Sequence, residues 1–434
     1  MWGFITVLVD SLIPRLKEIF ELSFFEAGLV QFAFFIAYAI ISIPAGALLS
    51  RIGYKKGMLL GLATMGVGCL LFIPAASMRL FPLFMLGYFV LAGGITVLQV
   101  AANPYVSVLG PEETASSRLI LSQAFNSLGT AIAPIIGAIY ILSDNIRSSE
   151  EIKALAEPDK LAYFSSEASA VKGPFIVLAG SLLLLAVLIA IFKLPQILEE
   201  KSVAGAYAQA RENKKLMMGA LGIFVYVGAE VSIGSYLVNY FLDMNLAETI
   251  KSSDSMSGLC ASLLGNDLSD VDNNGVVAGF VTFYWTGAMI GRFIGSILTR
   301  VIAPGKVLAF FGLGAITLIC ISMSTTGFTS MWSILGVGLF NSIMFPTIFT
   351  IAIEDLGDLK PQGSGILCTA IAGGAFIPPM YGLLTDNLGF KLAFILVILC
   401  YAYILYYGWI NRNPSYGQTA SAGISKAQHL LPDN

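Results

Sequence analysis

Charge is scarce in this sequence. Of its 434 residues only 12% are Asp, Glu, Lys or Arg, while 56% are hydrophobic, and an ordinary soluble chain carries roughly twice that charged share. With a mean hydropathy of +0.81, a soluble fold is excluded, because no single core could bury so much apolar surface. Histidine is nearly absent: the one copy, His429, sits in the polar C-terminal tail, so a histidine proton relay inside a membrane is excluded. Four of the five cysteines, Cys69, Cys320, Cys368 and Cys400, lie in apolar runs, and Cys260 alone lies outside them. Neither a disulfide framework nor a metal-ligand spacing is present. No G-x-x-x-x-G-K-[ST] loop supports nucleotide-driven work, and no G-x-S-x-G elbow supports an intramembrane hydrolase. The net charge of -3 comes without a basic patch, which argues against nucleic acid as a partner. Asp270-Val-Asp272-Asn-Asn274-Gly275 opens like a calcium-binding loop, but its twelfth position is Val281 in an apolar run, where a bidentate glutamate is required. No structural metal and no cofactor is expected.

Long apolar runs fill the chain instead. Segments near 1–20, 27–49, 58–77, 82–108, 118–142, 171–194, 215–242, 275–299, 305–325, 331–354, 362–386 and 389–411 satisfy the hydropathy rule for crossing a bilayer. The fold class is therefore an all-α polytopic membrane protein, with the lipid bilayer as its surroundings. The first run is short before Pro14, Arg15 and Lys17, which predicts that the chain begins partway through its first helix with upstream residues missing. No basic start and no small-residue cleavage site marks a signal peptide there. Most of the 24 lysines and arginines fall in alternate connections, so the positive-inside rule places both termini in the cytoplasm. The acidic connections 143–170 and 243–274, the latter carrying Cys260, are then predicted to face the periplasm.

The two halves repeat each other. Gly46 to Lys56 after the second span is echoed by Gly295 to Lys306 after the eighth, and Asn103-Pro104 in the fourth by Phe345-Pro346 in the tenth, with Gln99 opposite Asn341. This gives an N-terminal six-helix half over 1–194, a cytoplasmic linker over 195–214, a C-terminal six-helix half over 215–412 and a cytoplasmic tail over 413–434.

Asp10 and Glu230 are the charges that stand out. Each interrupts an apolar run, 2–13 and 221–241, and they fall on equivalent helices of the two repeats. A carboxylate in mid-membrane costs about 2.5–3.5 kcal/mol on insertion scales, so such residues mark solute or ion paths. Thr6 and Asp10, Gln99 and Asn103, and Tyr226 and Glu230 are i,i+4 pairs, while Gln123 and Asn126 are i,i+3, so each pair shares one helix face. Carboxylates and amides in one cavity suit a hydroxyl-rich ligand, and Trp285, Tyr284 and Phe125 offer an apolar platform for a sugar ring. Equally, such amides can simply join neighbouring helices. Arg51, Arg118, Arg292 and Arg300, with Glu112, Glu113, Glu354 and Asp355, read as cytoplasmic helix-end groups, either gate-forming ion pairs or plain anchors.

The basic turn Arg51 to Lys56 resembles the signature of the major facilitator superfamily, although Ser50 stands where that pattern has aspartate. Gln99-Val-Ala-Ala-Asn103-Pro104-Tyr105, Gln123-Ala-Phe-Asn126-Ser-Leu-Gly129, Tyr226-Val-Gly-Ala-Glu230 and Tyr284-Trp285-Thr-Gly-Ala-Met-Ile-Gly-Arg292 resemble the fucose:proton symporter family, in its glucose/galactose transporter branch. The resemblance implies a twelve-helix fold, no enzymatic activity, and residence in a bacterial inner membrane. It implies that Asp10 and position 99 take part in sugar recognition or coupling, and that Gln123 and Asn126 line the sugar cavity. The fourth-span glutamate of the fucose branch is Gln99 here, while Glu230 replaces a glutamine, and Val9 replaces an asparagine. The expected function is import of a hexose, glucose or galactose, by cation symport with alternating access, with sodium favoured over proton. The expected substrate site comprises Asp10, Gln99, Asn103, Gln123, Asn126, Glu230, Trp285 and Asn341, with Asp10 and Glu230 coupling the cation, in a monomer. A fucose-like sugar:proton symporter and a sugar sensor that does not transport are the alternatives.

Overall fold

A computed structural model describes residues 2–10, 24–78, 80–140, 156–195, 205–265 and 271–413. Every regular element among them is helical, as lipid demands: a backbone without water must satisfy its own N–H and C=O groups. The elements are α1 (Trp2–Asp10), α2 (Phe24–Met78), α3 (Phe81–Val108), α4 (Ala115–Tyr140) and α5 (Glu157–Ile191). They continue with α6 (Ala206–Glu212), α7 (Lys214–Asp243), the short α8 (Leu246–Lys251) and α9 (Asp254–Leu264), and α10 (Asn273–Val301). Last come α11 (Pro304–Ser324), α12 (Gly327–Asn341), α13 (Met344–Ile353), α14 (Lys360–Thr369), α15 (Gly373–Leu388) and α16 (Phe390–Ile410). Nine helical segments among the described residues are long and apolar enough to cross a membrane, and each of the twelve expected spans falls at least partly on a helix.

Local chemistry sets the boundaries. The second and third spans run together as α2, broken only at Gly53, whose φ of 77° is a left-handed conformation that side chains resist. Asn213 caps α7 by accepting from the Leu216 N–H at 3.0 Å, and Asp272 caps α10 by accepting from the Gly275 N–H at 2.9 Å. The calcium-like run thus ends in a helix cap. Helix also extends into stretches outside the expected spans. Residues 157–170, read as loop, extend the sixth span as the first turns of α5. The linker holds α6, and the acidic stretch 243–274 holds α8 and α9. Cys260 belongs to α9, is fully buried, and directs its thiol to the Val276 carbonyl at 3.5 Å.

Packing divides the chain into two compact units: residues 1–105, 125–212 and 358–375, and residues 106–124, 213–357 and 376–434. Each includes a piece from the other sequence half. In the first unit Phe72 of α2 stacks on Phe175 of α5 at 4.4 Å and meets Phe84 of α3 at 5.0 Å. Lys55 in the basic turn closes the end of α5, donating to the carbonyls of Ala190 and Phe192 at 2.9 and 2.8 Å. The α14 segment joins this unit through Ser364, which donates to the Val100 carbonyl of α3 at 2.9 Å. In the second unit Tyr240 of α7 ties α11 and α12 together through Ser322 and Ser330 at 3.2 and 2.8 Å. The start of α4 belongs here: Ser117 donates to the Ser296 carbonyl of α10 at 2.7 Å, and Ile120 packs with Val307, Phe311 and Ile343.

Candidate functional site

The second unit carries the more complete polar centre. Glu230, in the body of α7, is half-buried, and its carboxylate accepts from the hydroxyl of Tyr226 one turn earlier. The Arg292 guanidinium of α10 lies within electrostatic reach of both. Arg292 is no helix-end group: it stands nine residues before Val301, the last residue of α10, or about 13 Å along the axis. Its Nε donates to the Ser342 carbonyl at 3.2 Å. Arg118, by contrast, serves its own loop. It donates to the carbonyls of Val106, Ser107, Gly110 and Pro111 at 2.5–3.2 Å, closing the turn between α3 and α4. Lys215 pairs with Glu354 and, at 3.1 Å, with Asp355 at the start of α7.

Trp285 stands beside this centre on α10. Its indole is 49% exposed and lies over Gly234, 2.8 Å from where a Cβ there would be. Gly234 is one turn beyond Glu230 on the same face of α7, so an open aromatic face and a carboxylate adjoin. Asn341, fully buried at the end of α12, donates to the Tyr284 hydroxyl at 2.6 Å and accepts from the Tyr401 hydroxyl at 2.6 Å. What Asn341 does here is join α10, α12 and α16. Gln123 is buried in the α4 segment of this unit.

In the first unit Gln99 of α3 donates to the Tyr38 hydroxyl of α2 at 2.8 Å. Asn103, one turn on, is buried. Asn126 of α4 is half-buried and accepts from the Gly3 N–H of α1 at 2.9 Å, a bond that seats the first span against the fifth. Asp10 is the final residue of α1, and its side chain lies outside the described residues. The repeat seen in sequence has a physical counterpart: in each half an amide of the fourth or tenth span donates to a tyrosine of the second or eighth, Gln99 to Tyr38 and Asn341 to Tyr284. Tyr38, Arg292 and Tyr401 are site residues that sequence reasoning missed. For Arg292 a signal existed, because Pro346 removes the N–H that the Ser342 carbonyl would otherwise bind.

Comparisons with known proteins identify the family. The Major Facilitator Superfamily profile matches residues 2–379. The chain is 49% identical to the glucose/galactose transporter of Brucella abortus, over 95% of this chain and 91% of that protein. It is 41% identical to the putative glucose/galactose transporter of Helicobacter pylori, over 94% and 93%. A crystal structure of a variant of the E. coli fucose:proton symporter FucP superposes with a TM-score of 0.83 at 31% identity, over 95% of this chain and 96% of that one. This chain is a multi-pass membrane transporter, not an enzyme, and belongs to the major facilitator superfamily.

Proposed function

We propose that the chain imports a hexose, with glucose and galactose as the first candidates, by cation symport through alternating access. The observation that carries this reading is the exposed Trp285 indole seated over Gly234, one helical turn from the half-buried Glu230 on α7. An aromatic face takes the apolar face of a pyranose, and a carboxylate accepts from its hydroxyls. The names of the Brucella and Helicobacter relatives point to the same sugars. Gln99, Asn103, Gln123 and Asn126 are assigned to sugar contacts, and Asp10 and Glu230 to coupling.

Sodium is the favoured cation because the fourth-span position that would carry a proton is an amide, Gln99. A proton remains the competing outcome, as in the E. coli relative's name. The protein is assigned to a bacterial inner membrane as a monomer with cytoplasmic termini, on its basic-residue distribution and bacterial relatives. Counterflow in proteoliposomes tests the reading: internal unlabelled glucose or galactose should drive transient accumulation of the labelled sugar, and fucose should compete less. Absence of exchange with every sugar in the panel would contradict it and leave a sensor.

A further inference from the structure

The tenth span is broken. Its two helices, α12 and α13, are separated at Ser342 and Ile343, and the cause lies in Pro346. Proline has no N–H, so the carbonyl four residues back, that of Ser342, loses its helical partner. A buried orphan carbonyl costs free energy comparable to a lost hydrogen bond. Here it is taken by a charged donor, the Nε of Arg292 at 3.2 Å. The residue before it, Asn341, is held by Tyr284 and Tyr401 at 2.6 Å each. Tyr284 and Arg292 lie two turns apart on one face of α10, so that helix grips the break twice.

The N-terminal repeat has the same break chemistry with a different partner. Pro104 frees the Val100 carbonyl, which accepts from the neutral hydroxyl of Ser364 at 2.9 Å. Only in the C-terminal half is the freed carbonyl held by a charge. That charge also faces Glu230. Among the described residues, the ionisable groups that interact with the Glu230 carboxylate are Tyr226 on its own helix, Arg292 and Tyr284 on α10, and Tyr401 on α16, and Arg292 is the one cation among these. A half-buried guanidinium in an apolar span is stable only while the groups that answer its charge remain in place, so the Ser342 carbonyl that accepts from it and the Glu230 charge within its electrostatic reach are not independent.

We propose that Arg292 is a positioning residue that couples the Glu230 carboxylate to the break in the tenth span. A ligand that takes up the charge of Glu230 then loosens the hold of Arg292 on the Ser342 carbonyl, and occupancy of the site becomes a change in helix 10. This deepens the reading of Glu230 as a transport-site residue, and rests on it for its meaning in the cycle.

Hydrogen exchange at amides 342–345, followed in the purified full chain without any sugar, tests the coupling. Arg292→Gln should speed exchange there about ten-fold, and Glu230→Gln, which removes no contact to the break, about three-fold or more, while amides of α11 keep their protection. The double variant should exchange no faster than Arg292→Gln alone, because the second change acts through the first. Arg292→Lys, which keeps the charge but loses the Nε geometry, should fall between parent and Arg292→Gln. Unchanged exchange in Glu230→Gln, or additive effects in the double variant, would overturn the proposal. Since no sugar enters this measurement, its failure is distinguishable from failure of the parent to exchange sugar in counterflow.

Discussion

At the scale of single residues, the decisive fact about Gln99 is that it is an amide already in use. It donates to Tyr38, whose hydroxyl is buried with its helix. Replacing it by glutamate adds a titratable group beside that hydroxyl, where the parent has an amide that carries no proton. Gln99→Glu is therefore expected to make initial-rate uptake more pH-dependent and less sodium-dependent than in the parent. The check is uptake across pH 5.5–8.5, roughly the interval over which a perturbed carboxylate titrates, with and without sodium. Identical profiles with transport intact would restrict Gln99 to positioning or sugar contact. Glu230 stood out in sequence because a charge in an apolar run carries a cost that demands a reason. The cation that answers Glu230 did not. Arg292 sits in a glycine-rich stretch that reads as a helix end, and only the packing of α7 against α10 shows that it lies in the helix body facing the acid.

At the scale of elements, helix positions were readable and helix interruptions were not. Apolar length fixed the spans, since a bilayer requires about 20 residues per crossing. The extra turns at 157–170 escaped notice because charged and small residues make a helix that leaves the apolar layer look like loop. Pro346 was visible only as part of the repeat; that the span breaks before it is seen in the structure, and what fills the gap depends on a donor from another helix. The approach of α12 to α10 likewise depends on a residue without a side chain. A Cβ at Gly338 would run into the carbonyl of Tyr284, the residue whose hydroxyl holds Asn341. Gly338→Ala should thus destabilise the protein by about 1–3 kcal/mol through overpacking. Gly173, in α5, has open space around it, and Gly173→Ala should be neutral or stabilising by up to about 1 kcal/mol, as an ordinary helical glycine. Thermal unfolding of the purified variants separates the two, and equal shifts would remove the close approach as the reason for Gly338.

At the scale of the whole molecule, sidedness is an expectation drawn from lysine and arginine alone, and the natural probe for it is out of reach. Cys260 is the one cysteine in a connection, but it is a core residue of α9 packed under α10. Ser255, in the same short helix, is exposed. A cysteine placed there, Ser255→Cys, should react with an impermeant maleimide in intact cells, while Cys260 in the parent stays unreactive until the protein is denatured. Labelling of Ser255→Cys only after lysis would reverse the assigned orientation. The larger question is whether this transporter does work on its sugar with a cation gradient. The direct measurement is accumulation of labelled glucose or galactose in proteoliposomes under an inward sodium gradient, with a proton gradient imposed in parallel vesicles. The account predicts accumulation above the equilibrium level with sodium, abolished when a sodium ionophore collapses the gradient. Sugar that equilibrates but never accumulates under either gradient would contradict cation symport.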